Sequence, residues 1–325
     1  MQNNLNPKLF DEDVEQAPSR NGFGEGLVIA GDENPNVVGL CADLTESTRM
    51  EAFKKKYPER FVEVGVAEQN LVTVASGMAH EGKIAFTSSY ATFSPGRNWE
   101  QIRTTICYNN QDVKIIGNHT GISVGPDGAT HQALEDIAIM RVLPNMIVVV
   151  PADSIEARKA TIAIAKNGKP SYLRLSRDKT PVITTENSPF EIGKAEVLNP
   201  GKDVTIIACG QMVYMALKVA KELEDDKIEV RVINCHTIKP IDSKTILNAA
   251  EETGAIVTVE EHQIAGGLGS AVAEVVSESY PVPIKRIGIE DSFGESGAPP
   301  ELLKKFGLTE ENIKKAVLEV IRRKE

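Results

Sequence analysis

The stretch that decides the fold is RFVEVGVAEQNLVTVASGMAHEGKIAFTSSYA, residues 60–91, continued by TFSPGR at 92–97. RFVEVG has the make-up of a short buried strand. AEQNLVTVASGMAHEG sets apolar residues at helical spacing among small ones, the pattern of a helix packed closely on a sheet. KIAFTSSY reads as the next strand. Glu68 then falls in the first turn of the helix, and Tyr90 and Phe93 fall at a strand end, where ligands collect in an open α/β sheet. An isolated glutamate in that place would serve orphan amides or offset the helix dipole. A carboxylate beside a flat apolar platform instead suits a protonatable heteroaromatic ring.

Outward from this stretch, strand and helix signals alternate from Ser19 onward. NVVGLCAD is a strand and STRMEAFKKKY a helix upstream of it; GRNWEQIRTTICYNN (helix), DVKIIGNH (strand), LEDIAIMRVL (helix), MIVVVPAD (strand), SIEARKATIAIAKNG (helix) and PSYLRLSR (strand) follow. Such repeats with short connections predict a parallel sheet covered on both faces. The segment Asp178–Asp203, rich in Pro, Thr and polar residues, breaks the rhythm, and the alternation resumes with DVTIIACG, EVRVINC, AIVTVEE and IKRIGIE as strands between helices. The predicted fold class is therefore α/β, with two doubly wound, mostly parallel-sheet domains. The divisions are an N-terminal arm at 1–18, whose first 17 residues have little periodicity and read as an arm or a frayed entry, a first domain at 19–185, a linker at 186–202 and a second domain at 203–325.

Composition supports this and excludes other classes. A chain of 325 residues, 41% hydrophobic and 25% charged, is ordinary globular material for about two domains, each able to bury a core. A net charge of −10 argues against a nucleic-acid or anionic-membrane surface, while leaving room for local basic pockets that take phosphorylated small molecules. No apolar run reaches membrane-spanning length, and the polar, acidic start MQNNLNPKLFDEDVEQ is no signal peptide, so a cytoplasmic protein is expected. Cys41, Cys107, Cys209 and Cys235 lie far apart in apolar surroundings, as reduced core residues do.

Three further polar groupings stand out. NHTGISVGPDGATHQ, residues 118–132, puts His119, Asp127 and His131 in one Gly-rich loop at a strand end. One such histidine is usually a satisfied core residue and a DG pair a turn, but the three together in one loop are harder to explain that way. CADLTES, residues 41–47, closes a strand with an acid and hydroxyls; on structural grounds Asp43 or Thr45 is a helix cap. LSR at 175–177 ends the last strand of the first domain with Arg177, and arginine suits phosphate through its planar donor fork. GFGEG near residue 24 and GGLG at 266–269 are weak anion-site signals; the latter is read as close helix-to-strand packing.

GVAEQN followed by SSYATF resembles the pyrimidine-binding half of transketolase and its thiamine-diphosphate relatives, and the 118–132 loop, ADLT and LSR fit the same family. The resemblance runs from about Arg20 to the C-terminus. It implies a pyrimidine-binding domain followed by a transketolase C-terminal domain. It also implies that Glu68 bonds N1′ of the cofactor's aminopyrimidine, that Phe93 with Tyr90 forms the stacking platform, and that Asp43 is an acid near the cofactor. His119 would contact donor sugar and substrate phosphate, Asp127 a hydroxyl near the reacting carbon, and His131 the reacting hydroxyl or its proton, which makes Glu68 and His131 the catalytic pair. Ser47, Arg177 and Arg20, the last 23 residues before Asp43, would bind the substrate phosphate.

Two departures matter. After Phe93 the family often continues with further aromatics, whereas this chain has Ser94-Pro95-Gly96-Arg97, with Trp99 as the candidate substitute. The GDG motif that holds Mg²⁺ and diphosphate has no counterpart in context, since Gly31-Asp32-Glu33 and Pro126-Asp127-Gly128 stand alone. No metal ligand is therefore assigned to this chain. The resemblance implies one subunit of a split transketolase, transferring a two-carbon ketol unit between sugar phosphates with thiamine diphosphate. The Mg²⁺ ligands would lie on an N-terminal partner subunit, around a homodimer core within a heterotetramer. A place in the pentose phosphate pathway and carbohydrate metabolism goes with it. 1-Deoxy-xylulose-5-phosphate synthase, the β subunit of a 2-oxo-acid dehydrogenase, and a non-catalytic thiamine-binding or scaffold protein remain as alternatives.

Overall fold

A computed structural model of the chain describes residues 4–324; the first three residues of the expected arm, and Glu325, lie outside the described residues. In chain order the first half contains β1 (Gln16–Ala17), α1 (Ser19–Glu33), β2 (Val37–Cys41), α2 (Glu51–Lys56), β3 (Phe61–Glu63), α3 (Glu68–His80) and β4 (Ile84–Tyr90). After these come α4 (Trp99–Gln101), continued by a π-helical turn to Cys107, then β5 (Val113–Asn118), α5 (Asp136–Arg141), β6 (Ile147–Val149), α6 (Ser154–Ala165), β7 (Ser171–Arg174) and β8 (Thr180–Pro181). The second half runs β9 (Glu196–Asn199), β10 (Val204–Ala208), α7 (Met212–Asp225), β11 (Val230–Asn234), β12 (Thr237–Lys239), α8 (Ser243–Thr253), β13 (Ile256–Gln263), α9 (Leu268–Ser279), β14 (Ile284–Ile289), α10 (Pro299–Lys305) and α11 (Glu310–Lys324).

The fold is α/β, with two mostly parallel sheets as expected. The first has seven strands in the order β12-β6-β7-β5-β4-β2-β3, and the second five, β14-β13-β10-β11-β9. Strands β2, β5 and β10 are buried along their whole length, the burial that continuous apolar runs acquire when helices cover both faces of a parallel sheet. Even Lys114 in β5 is buried, its ammonium held by Asn167 Oδ1 and the Lys169 carbonyl at 2.7 Å each, with Asp112 beside it.

The structure corrects the sequence reading in four places. RFVEVG is no buried strand: β3 is the sheet's edge, with Phe61 and Val62 half-buried and Glu63 exposed. GFGEG lies inside α1, a helix that three glycines disguise. Gly22 and Gly26, four residues apart on one face, let α1 approach α6 so closely that a Cβ at Gly22 would lie 1.7 Å from the Ser154 carbonyl oxygen. Part of the expected linker is strand β9, paired antiparallel with β11. The described part of the arm is packed, not frayed: Leu5 and Leu9 are buried in the second domain's core, and the Asn6 amide donates to the Ile183 carbonyl at 2.9 Å.

The GGLG segment opens α9, and its anion is internal. The amides of Leu268 and Gly269 donate to the buried Glu260 carboxylate at 2.7 and 2.8 Å, while a Cβ at Gly269 would meet Thr258 Oγ1 at 2.6 Å. All four cysteines are free and buried, and burial pushes their thiols up. Among the described residues no helix is long and apolar enough to cross a membrane.

Candidate active site

Strands β7, β5, β4 and β2 are consecutive neighbours and mutually parallel, so their C-terminal ends share one edge of the sheet. Asp43 and Ser47 follow β2. Tyr90 ends β4 and Phe93 follows it. His119, Asp127 and His131 follow β5, and Arg177 follows β7. Glu68 opens α3 and Arg20 sits in the first turn of α1. Every residue assigned to the site in the sequence therefore comes from this edge or from a helix start beside it.

At one end stands Glu68, 2% exposed. Its carboxylate does not cap its own helix. It accepts from Arg97 Nη1 at 3.0 Å, and its main-chain carbonyl accepts from Asn98 Nδ2 at 2.8 Å. The same Arg97 guanidinium lies over the Phe93 ring, 5.2 Å from its centroid. Arg97, within the SPGR stretch that departs from the family pattern, is thus what joins carboxylate and platform. Trp99 does not extend the platform; it packs on the main core and its indole donates to the Ile139 carbonyl at 2.7 Å.

From Phe93 a ladder of rings leads along the strand ends. Phe93 stacks on Tyr90 (centroids 6.2 Å, 23°), and Tyr90 on His119 (3.9 Å, 28°). His131 stands edge-on to both aromatics, 5.4 Å from Phe93 and 6.1 Å from Tyr90. Tyr90 belongs to both ends of the site, because its hydroxyl lies 2.8 Å from Ser47 Oγ while its ring carries the stack.

At the other end is a chamber of about 490 Å³ lined by Arg20, Ser47, Arg49, Tyr90, His119 and Arg177, with Asp43, Glu46 and Asp127 among its further walls. Arg20 Nη1 donates to the Ser47 carbonyl at 2.7 Å and lies 3.4 Å from His119 Nε2, and Arg177 Nη1 donates to the Val124 carbonyl at 2.6 Å. Burial, then Arg20 and Arg177, push the His119 imidazole down to about 3, so it is neutral at pH 7. With Nε2 facing a guanidinium donor, the proton is assigned to Nδ1, which is buried without a partner, as is Arg20 Nε. What the chamber wall itself offers a ligand is the Arg20, Arg49 and Arg177 guanidiniums and the Ser47 hydroxyl, set among the Asp43, Glu46 and Asp127 carboxylates.

The loop bearing Asp43 and Ser47 is pinned from the edge strand. Asp43 adopts φ 59°, and the Glu63 carboxylate accepts from its amide at 2.7 Å and from Thr45 Oγ1 at 3.0 Å. Asp43 therefore stands in the chamber wall with Ser47. Beneath the 119–135 loop, buried Arg174 grips Asp136 through Nε and Nη2 (2.7 and 3.2 Å), Tyr172 adds a hydroxyl at 2.7 Å, and Arg174 Nη2 reaches the Glu261 carbonyl of the second domain at 2.9 Å. Burial alone would raise the Asp136 carboxyl, but the Arg174 charge overrides it and the net shift is downward. Glu63, Arg97 and Arg49 were missed in the sequence. A lone charged side chain reads there as a solvated one, and only the crossing of distant loops reveals what it touches.

A doubly wound fold that gathers a buried acid, an aromatic platform and a guanidinium-lined chamber at its strand ends belongs to the class of α/β proteins with a ligand site at the sheet's C-terminal edge. Comparison with known proteins makes the class specific. Residues 15–182 match the family model "Transketolase, pyrimidine binding domain" and residues 193–313 "Transketolase, C-terminal domain". The chain belongs to the transketolase family and corresponds to a split transketolase-family subunit. It is 47% identical, with a TM-score of 0.89, to a solved structure described as "Split gene transketolase, inactive beta4 tetramer", covering 95% of this chain and 99% of that one. It is 41% identical to the 6-deoxy-6-sulfo-D-fructose transketolase subunit of Clostridium sp. (strain MSTE9), covering 97% of this chain and 98% of the relative. To an apulose-4-phosphate transketolase subunit of Phocaeicola vulgatus it is 39% identical, over 94% of this chain and 97% of the relative. The family's domains imply dependence on thiamine diphosphate.

Proposed function

We propose that this chain is the C-terminal subunit of a split transketolase that moves a two-carbon ketol unit from a ketose phosphate to an aldose phosphate, acting in the cytoplasm in carbohydrate metabolism. The observation that carries the reading is the continuity of the site: one ladder of rings, Phe93, Tyr90 and His119, links the Glu68 carboxylate to the guanidinium chamber.

The residues present fit the aminopyrimidine end of thiamine diphosphate. A buried carboxylate beside an aromatic face is the donor set that a protonatable heteroaromatic ring requires. When bound, the cofactor supplies the electron sink for making and breaking the bond next to the ketose carbonyl. Glu68 holds the proton shared with ring N1′, and Phe93 packs on the ring. His131, edge-on between Phe93 and Tyr90, takes or returns the proton of the reacting hydroxyl. Arg20, Ser47, Arg177 and neutral His119 anchor the phosphate, with Asp127 toward a sugar hydroxyl. Because the GDG motif has no counterpart in context in this sequence, Mg²⁺ and the diphosphate are assigned to a partner N-terminal subunit. The guanidinium chamber favours sugar phosphates over the unphosphorylated substrates of a 2-oxo-acid dehydrogenase.

The test is reconstitution. The chain alone, given Mg²⁺ and thiamine diphosphate, shows no ketol transfer, and mixing with a chain that bears a GDG motif restores it. Robust turnover by the isolated chain refutes the split-subunit reading.

A further inference from the structure

One guanidinium in the chamber belongs to no motif in the sequence. Arg49 closes the loop that carries Ser47, with a left-handed backbone (φ 64°), a conformation uncommon for a long side chain and found mostly where surroundings enforce it. Here α1 enforces it from two sides. A Cβ added at Gly24 would lie 2.7 Å from the Arg49 carbonyl oxygen and 2.9 Å from its Cβ, and Arg49 Nε donates to Asn21 Oδ1 at 2.9 Å. The backbone and the near side of the guanidinium are thus held, while the two terminal nitrogens have no protein partner among the described residues.

The chamber walls carry three carboxylates, Asp43, Glu46 and Asp127, beside three guanidiniums, but the charges are not paired off. Among the described residues no carboxylate lies within ion-pair distance of Arg20 or Arg49, and that of Asp127 is 3.9 Å from Arg177. Three guanidiniums therefore share one small space in a chain of net charge −10. Their mutual repulsion registers on Arg20, which burial and then Arg49 and Arg177 push downward. With Asp127 beside Arg177, a single negative charge on a ligand is answered by the Arg20 fork, and Arg49 is left with no carboxylate within ion-pair distance among the described residues.

We propose that Arg49 is a specificity-determining residue of this site: it reads the second negative charge of the substrate's terminal group, so that the chamber prefers a dianionic phosphate to a monoanionic sulfonate or an uncharged end. The proposal rests on the reading that this chamber receives the terminal phosphate.

The experiment uses the reconstituted complex with three donors: a ketose 6-phosphate, the corresponding 6-deoxy-6-sulfo sugar and a donor without a terminal anion. Arg49→Gln is expected to raise KM for the phosphate about tenfold or more, for the sulfonate about threefold or less, and for the donor without a terminal anion least of all. Arg49→Lys recovers most of the loss. With the chain alone, inorganic phosphate raises the midpoint of thermal unfolding in wild type and less so in Arg49→Gln, against chloride at matched ionic strength. An unchanged KM ratio of phosphate to sulfonate in Arg49→Gln, equal losses with all three donors, or equal protection by phosphate overturns the proposal. A wild-type complex that shows no preference for the phosphorylated over the uncharged donor overturns the reading of the chamber itself.

Discussion

His119 makes the most quantitative prediction, because its imidazole is buried among guanidiniums and its pKa falls from 6.5 to about 3. As pH drops through 6.5 the unfolded chain takes up a proton there and the folded chain does not. The contribution of His119 to stability is therefore fully present above that value and is lost progressively on acidification, down to about pH 3. Linkage gives a loss of about 2 kcal/mol between pH 7 and pH 5 from this one residue. The figure depends on the unfolded value and scarcely on how far below 5 the folded one lies. The assay is urea unfolding of wild type and His119→Asn at pH 7, 6 and 5, asparagine being a residue that tolerates the φ of 54° at this position. The substitution adds a constant offset from lost packing, and other acid-sensitive groups such as buried His236, pushed down to about 4, are common to both chains. The difference curve isolates His119: the variant is flatter by about 2 kcal/mol over this range. Parallel curves would refute the placement of a neutral, buried imidazole beside Arg20 and Arg177.

Asp136→Asn leaves Arg174 charged and buried without its bidentate partner, and lowers the free energy of unfolding by roughly 3–5 kcal/mol, read as a shift in denaturant midpoint at unchanged slope; a loss below about 1 kcal/mol would mean that the guanidinium finds a substitute. Glu68→Gln removes a proton-holding group without changing shape, so the reconstituted complex loses about a hundredfold or more in turnover while the unfolding midpoint holds. Retention of a tenth of the activity would reduce Glu68 to the ion-pair partner of Arg97. Arg177→Ala raises KM for a phosphorylated ketose about tenfold and leaves hydroxypyruvate untouched, because a contact remote from the reacting bond serves ground state and transition state alike; equal losses with both donors would make its bond to the Val124 carbonyl the main one.

The elements most legible in the sequence were those whose burial is complete. VVGLC, VKIIGN and VTIIA announce interior parallel strands because both of their faces are covered, and the polar residues in the glycine-punctuated loop after β5 announce a site because a core has no use for them there. Helix α1 was hidden by the same glycines that let it dock: at Gly22 and Gly26 the demands of packing oppose intrinsic propensity, and packing wins. The short strands β9 and β12 pair antiparallel at sheet margins, where three or four residues carry no period to read. Within the site, His119, Asp127 and His131 could be grouped because one loop holds them. Arg97 meets Glu68 and Phe93 across a turn, and Arg49 in the loop after β2 shares the chamber with Arg20 on α1 and Arg177 after β7, a convergence that linear spacing does not express.

The antiparallel strand β12 has a consequence for how the chain is made. It completes the margin of the first sheet by pairing with β6, Thr237 opposite Val149, yet it is synthesised some 65 residues after β7 has finished the parallel core of that sheet. At about 5–20 residues per second, a ribosome leaves the Ile147–Val149 edge, an apolar row of unpaired amides and carbonyls, without its neighbour for roughly 3–13 s. During that window nascent chains on one polysome can pair edge to edge. A gene cut between the halves would leave that edge open, because the margin of the first sheet is a strand of the second half.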